Sequence, residues 1–180
     1  MSQKVALITG ASKGIGAACA AKLASEGFRI ALHYRSNPEE AQRVASEIPG
    51  AELFRYDLSN ESACQDLVKE VVAKMGGLDV LVNNAGVALD QMLTFAKIDD
   101  FNTSIATNLR PVFLLSKFAS KSMIRKKSGA IINITSVVGH TGNLGQGIYA
   151  AHRASSWTCG CADRAGRTKR SSLVSGSDRF

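Results

Sequence analysis

Short apolar runs alternate with amphipathic segments along most of this chain. Val5 to Ile8 is a four-residue apolar run, the length and content of a buried strand. An amphipathic segment from Ile15 to about Glu26 follows it and predicts a helix. Arg29 to His33 reads as a second strand, and Asn37-Pro38 opens a helix to about Glu47, with Asn37 as its cap and Pro38 in its first turn. Ala51 to Arg55 predicts a third strand, ending at Asp57-Leu58-Ser59. From Glu61 to Met75, Leu67, Val68, Val71, Val72 and Met75 recur at helical spacing with charges between them, and Gly76-Gly77 stops the pattern. Leu78 to Val82 is the fourth strand. A long helix is predicted over roughly Phe101 to Arg125, with a kink or break at Pro111, and Ala130 to Ile134 is the fifth strand.

Strand and helix in alternation argue for an α/β fold, a doubly wound parallel sheet with helices on both faces. Ligands of such sheets lie beyond the carboxyl ends of the strands. The stretches that fall there are Gly10 to Gly16, Asp57, Asn83 to Gly86, and Ser136.

Composition narrows the class. A chain of 180 residues with 45% hydrophobic content can bury a substantial core as one domain. It contains no run of eighteen apolar residues, which argues against a membrane span, and its N-terminus lacks the pattern of a signal peptide. The cysteines at 19, 64, 159 and 161 show no framework spacing; Cys19 and Cys64 fit buried thiols in a reducing cytoplasm. Cys159-x-Cys161 has no second ligand pair, so no metal site is expected. The net charge is +7, but residues 1–151 hold 16 Lys and Arg against 13 Asp and Glu. The excess lies in residues 152–180, with six cations against two anions. Arg164, Arg167, Lys169 and Arg170 there are loosely spaced without interleaved aromatics, so nucleic acid is not an expected partner.

The stretch after the first strand carries the chemistry. Thr9-Gly10-Ala11-Ser12-Lys13-Gly14-Ile15-Gly16 turns the chain into a helix N-terminus, whose amides and partial positive charge suit a pyrophosphate. Its spacing is T-G-x-x-x-G-x-G, neither G-x-G-x-x-G nor a loop ending in G-K-[ST], and glycine-rich turns also serve as plain connectors. At the end of the second strand an acidic residue would select NAD through the ribose hydroxyls. His33-Tyr34-Arg35-Ser36 has none there. Arg35 can pair with a 2′-phosphate and Lys13 adds a second cation, which points to NADP; the competing reading is two solvated surface cations.

Further on, Ser136 ends the fifth strand and Tyr149 follows thirteen residues later, at a predicted helix start. A phenol with positive charge nearby can deliver a proton to a carbonyl oxygen, and a serine hydroxyl can hold that oxygen in place. These residues, with the glycine turn and Asn83-Asn84-Ala85-Gly86, resemble the short-chain dehydrogenase/reductase family over about residues 3–151. The resemblance implies a Rossmann-like fold binding the dinucleotide through Gly10, Ser12, Lys13, Gly14, Ile15, Gly16, Arg35, Asp57, Asn84, Ala85 and Gly86. It places Asp57 near an adenine ring, although a turn cap explains that residue equally well. It makes Tyr149 the proton donor, Ser136 the carbonyl anchor, and Asn108 the support of a proton relay.

Within the family, Ser136 to Ala151 is similar to bacterial 3-oxoacyl-(acyl carrier protein) reductases, in S-V-V-G, in G-N-x-G-Q and at the start of Y-A-A. That implies NADPH-dependent reduction of a 3-oxoacyl thioester in fatty acid biosynthesis, with acyl carrier protein or coenzyme A as the carrier. Acetoacetyl-coenzyme A reductases are close relatives. Arg125-Lys126-Lys127 stands where that group meets its acidic carrier, and a solvated helix end reads the same way.

The resemblance stops after Ala151. The family expects Y-x-x-x-K, and four residues after Tyr149 stands Arg153. Arginine keeps the charge but carries a larger, forked head that never gives up its proton. Residues 152–180, rich in Ser, Arg and Gly, are expected to be an irregular basic tail with no helical stripe. The family's helix after Tyr149 and its sixth and seventh strands are expected to lack counterparts. A change of reading frame after about Ala151 would produce this, leaving an incomplete dinucleotide-binding domain over 1–151, with a working reductase and an inactive dinucleotide-binding fragment as the two readings. The resemblance also implies homo-oligomers among relatives, assembled partly through the missing segment.

Overall fold

A computed structural model describes residues 3–159. Five parallel strands, β1 (Val5–Ile8), β2 (Arg29–Tyr34), β3 (Glu52–Arg55), β4 (Val80–Asn83) and β5 (Ala130–Asn133), form one sheet in the order β3-β2-β1-β4-β5. Crossover helices α1 (Gly14–Ser25), α2 (Pro38–Ser46) and α3 (Glu61–Met75) follow the first three strands. After β3 the chain returns to the far side of β1, so the direction of winding reverses between β1 and β4. At such a reversal the loops leaving two neighbouring strands diverge and open a crevice.

Alternation along the strands assigns the two faces. Val5, Leu7, Ala31 and Leu81 pack with Leu67, Val68, Val71 and Met75 of α3 on one side. Ala6, Ile8, Ile30, Leu32, Val80 and Val82 pack with Ala20 of α1 and Ala41 and Val44 of α2 on the other. Both faces of the central strands β1, β2 and β4 are thus covered, which is why those strands are largely apolar.

The expected long helix is divided into α4 (Ile98–Ser104) and α5 (Arg110–Lys126), joined by a π turn over Ile105–Leu109. Pro111 sits in the first turn of α5, where its missing N–H costs nothing, and the wide turn before it absorbs the irregularity. Leu114, Leu115, Ala119 and Met123 of α5 complete the core on the α3 side. Asn37 stands at the start of α2 in a left-handed conformation (φ 61°), but its side chain makes no cap bond and instead reaches Glu40 Oε2 at 3.4 Å.

The short α6 (Val138–Thr141) leads to α7 (Gly147–Cys159), and here the sequence expectation is corrected. The chain does not turn irregular at 152, because α7 continues to Cys159. Its buried face is Ile148, Tyr149, His152 and Ser156, a helical stripe whose last two members are polar. His152 Nδ1 meets Ser104 Oγ at 3.0 Å, while its Nε2 has no hydrogen-bond partner among the described residues. The Ser156 hydroxyl donates to the His152 carbonyl at 2.8 Å, and the Ser156 carbonyl accepts from Asn133 Nδ2 at 3.1 Å. A search for aliphatic periodicity passes over such a helix. The remaining residues of the expected basic tail, Cys161 and the four cations at 164–170 among them, lie outside the described residues.

Candidate active site

The crevice is built on one hydroxyl and one amide. Thr9, buried just after β1, donates from Oγ1 to the Val82 carbonyl at 3.2 Å and accepts from the amides of Asn84 and Ala85, both at 3.0 Å. Asn84 answers with Nδ2, which donates to the carbonyls of Thr9 (2.9 Å) and Gly10 (3.0 Å). The two loops that diverge from β1 and β4 are therefore laced together at their roots. Beside them Asn83 Nδ2 donates to Asn133 Oδ1 at 2.9 Å, a pair that the β4–β5 register sets side by side.

Close approach explains the glycines. A Cβ on Gly16 would lie 2.5 Å from the Gly10 carbonyl oxygen and 2.6 Å from Asn84 Nδ2, so α1 can seat on the turn only without a side chain there. Gly10 itself has φ +63°, and a Cβ on it would meet Ala85 Cα at 2.9 Å. Gly14, also at positive φ, faces open space at the start of α1. The first-turn amides of that helix have no partner within it. An exposed, side-chain-free helix start of this kind is a cradle that fits a pyrophosphate. Ser12 and Ile15 are half-buried in the same turn.

The residues expected around the adenosine end are spread over three elements. Lys13 is exposed and sits 3.9 Å from Glu40 Oε2, so a phosphate there would compete with a carboxylate. Arg35 is exposed after β2, and its charge helps hold the Asp57 carboxyl below its usual range. The larger causes of that shift are the bonds Asp57 Oδ1 accepts from the Ser59 amide (3.0 Å) and hydroxyl (2.8 Å). Asp57 caps its own turn.

At the other end of the crevice, four elements converge on Gly86. A Cβ there would stand 2.9 Å from Arg153 Nη2 and 3.0 Å from Asn108 Oδ1. Arg153 Nη1 donates to the Ile134 carbonyl at 2.8 Å, which ties α7 to the end of β5 two residues before Ser136. Ser136 is buried, and its Oγ accepts from the Val138 amide at 3.3 Å. Gly139 lets α6 approach α7 so closely that a Cβ would lie 2.9 Å from the Ala154 nitrogen. Tyr149, one turn before Arg153, is 9% exposed.

Asn108, on the π turn, spends its side chain on the backbone. Oδ1 accepts from the Val87 amide at 2.7 Å, while Nδ2 donates to the Val87 carbonyl (3.0 Å) and to Ser104 Oγ (3.1 Å). Ser104 then reaches His152, so a buried polar chain runs from Val87 through Asn108 and Ser104 to α7. Burial, with the Arg153 charge as a lesser cause, lowers the His152 pKa to about 4 and keeps the ring neutral. Ser104 and Thr9 were not singled out by sequence reasoning. The only cue for Thr9 is its place at the head of the glycine motif, and none marks Ser104.

A site of this make-up, with its glycine turn, its N-N-A-G segment and its Ser, Tyr and Asn, has a matching family description. The short chain dehydrogenase model matches residues 4–157. The chain belongs to that family. It is 43% identical over 155 residues to a 3-oxoacyl-[acyl-carrier-protein] reductase FabG of Staphylococcus aureus (strain Mu50 / ATCC 700699), covering 84% of this chain and 63% of the relative. A Staphylococcus epidermidis FabG (strain ATCC 12228 / FDA PCI 1200) is 42% identical with 84% and 64% covered. A 3-oxoacyl-[acyl-carrier-protein] reductase of Synechocystis sp. (strain ATCC 27184 / PCC 6803 / Kazusa) is 42% identical over 158 residues, covering 86% and 64%. The chain thus spans less than two thirds of the length of these relatives. As a short chain dehydrogenase, it has the Rossmann-like parallel sheet expected from its alternating elements.

Proposed function

We propose that this chain carries the NADP-binding and catalytic half of a reductase of 3-oxoacyl thioesters. The observation that supports this best is the meeting of Asn108, Arg153 and Gly86 beside Tyr149, at the same strand ends as the glycine turn. The first-turn amides of α1, with Asn84 and Ala85, would hold the pyrophosphate, Arg35 and Lys13 would pair with the 2′-phosphate, and Asp57 would serve the adenosine end. When bound, the dinucleotide supplies the hydride. Ser136 holds the carbonyl oxygen of the substrate by its hydroxyl. Tyr149 passes its phenolic proton to that oxygen, and the guanidinium over its ring stabilises the phenolate left behind. Asn108 keeps Gly86 and Val87 in place through its paired backbone bonds and is a positioning residue.

The similarity to relatives named 3-oxoacyl-[acyl-carrier-protein] reductase favours an acyl carrier protein as the thioester carrier. Of the three cations at the end of α5, Lys126 is 3.5 Å from Asp79 Oδ1 and Arg125 Nε bonds the Lys121 carbonyl, so exposed Lys127 is the best placed to meet an acidic partner. Cys19 and Cys64 are free thiols, which suits a reducing compartment such as the cytoplasm.

A second reading, a fragment that holds dinucleotide without turnover, is favoured by one observation. Arg153 is committed to the Ile134 carbonyl, and an arginine in the place of the expected lysine is a poor member of a proton relay. NADPH oxidation with acetoacetyl-coenzyme A separates the two, run beside Arg153→Lys. Turnover by the parent chain supports the reductase. Turnover by Arg153→Lys alone, with a gain of at least about tenfold, supports the fragment whose site lacks only its lysine. NADPH binding without turnover in either supports the fragment outright. No binding overturns both.

A further inference from the structure

His33 lies near the end of β2, 2% exposed, with a role in neither reading above. Its ring touches two backbone groups of opposite kind. The Gly10 amide donates to Nδ1 at 3.1 Å, and Nε2 is 3.1 Å from the Tyr56 carbonyl. An amide can only donate and a carbonyl can only accept, so Nδ1 is the bare nitrogen and Nε2 carries the hydrogen. The His33 carbonyl takes the next amide of the turn as well, accepting from Ala11 at 2.9 Å. One residue therefore holds two successive amides of the glycine turn, the first by its side chain and the second by its backbone.

That arrangement has a consequence for the turn. At φ +63° the Gly10 amide points back into the sheet, toward His33, and is not among the donors offered to an anion. The donors left are those that start α1, and their placement depends on where Gly10 is anchored. The same ring reaches Tyr56, the residue before Asp57, so it also links the turn to the end of β3.

We propose that His33 is the positioning residue of the dinucleotide turn, its imidazole anchoring the Gly10 amide to the Tyr56 carbonyl so that the first-turn amides of α1 are held in register for a pyrophosphate. This rests on the reading that the turn holds a dinucleotide. Burial pulls the His33 pKa down to about 4, which keeps the acceptor nitrogen bare near neutral pH.

Two substitutions divide the two bonds. In His33→Asn the side-chain oxygen reaches the place of Nδ1 and can still accept from Gly10, but the bond to Tyr56 is lost. In His33→Gln the terminal amide reaches the place of Nε2 and keeps Tyr56, but nothing accepts from Gly10. Gly10 amide exchange is followed by NMR in the cofactor-free protein, together with NADPH titration by fluorescence. The expected result is a Gly10 amide that stays protected in His33→Asn and exchanges at least about a hundredfold faster in His33→Gln. NADPH affinity should fall about tenfold further in His33→Gln than in His33→Asn. Equal Gly10 exchange in both variants, equal NADPH affinity in both, or imidazole nitrogen shifts showing the hydrogen on Nδ1 would each overturn the assignment. If the parent chain binds no NADPH, the dinucleotide reading fails, and Gly10 exchange alone decides whether His33 anchors the turn.

Discussion

The guanidinium carbon of Arg153 lies 5.1 Å from the centroid of the Tyr149 ring, one turn along the same helix. The contact joins the cation beside Gly86 to the tyrosine one turn before it on α7. The Tyr149 ring is also met edge-on by His152, with centroids 5.0 Å apart. Ring position is thus set by two neighbours on α7 itself, and the hydroxyl takes no part in holding the helix.

Tyr149→Phe follows directly. The phenolic oxygen has no hydrogen-bond partner among the described residues, so its removal should change unfolding free energy by less than about 1 kcal/mol. If Tyr149 is the proton donor, turnover should fall by about a hundredfold or more. Thermal unfolding and NADPH oxidation measured on the same preparation check both halves. A large loss of stability would show that the hydroxyl has a structural partner.

Thr9 offers the opposite case. Its hydroxyl donates to one carbonyl and accepts from two amides, all buried at the root of the crevice. Thr9→Val keeps the shape but strands the Asn84 and Ala85 amides, at a cost of about 2–4 kcal/mol. Thr9→Ser keeps the hydroxyl and should lose only about 1 kcal/mol for the missing methyl group. Urea unfolding of the pair separates hydrogen bonding from packing, and a loss confined to Thr9→Ser would assign the effect to the methyl.

Stability should fall on mild acidification, through His33 and His152. Both are held neutral in the folded chain with pKa values lowered from 6.5 to about 4, burial being the first cause in each. As pH drops below 6.5 the unfolded chain binds protons that the folded chain refuses, so unfolding becomes easier by about 1.4 kcal/mol per pH unit for each histidine. The loss continues until the pH reaches the folded value and then levels off. Above 6.5 the contribution is flat. Unfolding free energies between about pH 7 and pH 5, a window mostly above carboxylate titration, check this. His152→Gln should show about half the slope.

Much of the architecture is local in origin and was therefore legible. The apolar run Val5–Ile8, the stripe of α3 and the glycines after β1 are each set by neighbours a few residues apart, and the structure has each element where its pattern lies. Asn83 to Gly86 could be placed beyond a strand end for the same reason. Helix α7 was missed beyond Ala151 because its buried positions His152 and Ser156 are polar; the His152 ring meets Ser104, remote in sequence, and the Ser156 hydroxyl turns back on the His152 carbonyl.

The sequence by itself determined the order of strands and helices, the turn that enters α1, and the residue types gathered at the strand ends. Periodicity and turn chemistry are short-range properties, written in adjacent residues. Tertiary structure alone decided which polar groups satisfy one another. Gly10 with His33, Thr9 with Asn84, Ser104 with His152 and Arg153 with the Ile134 carbonyl are pairs separated by 19 to 75 residues. A buried polar group must be matched in space, and any of several residues along the chain could serve, so the choice is made only when the sheet brings its loops together.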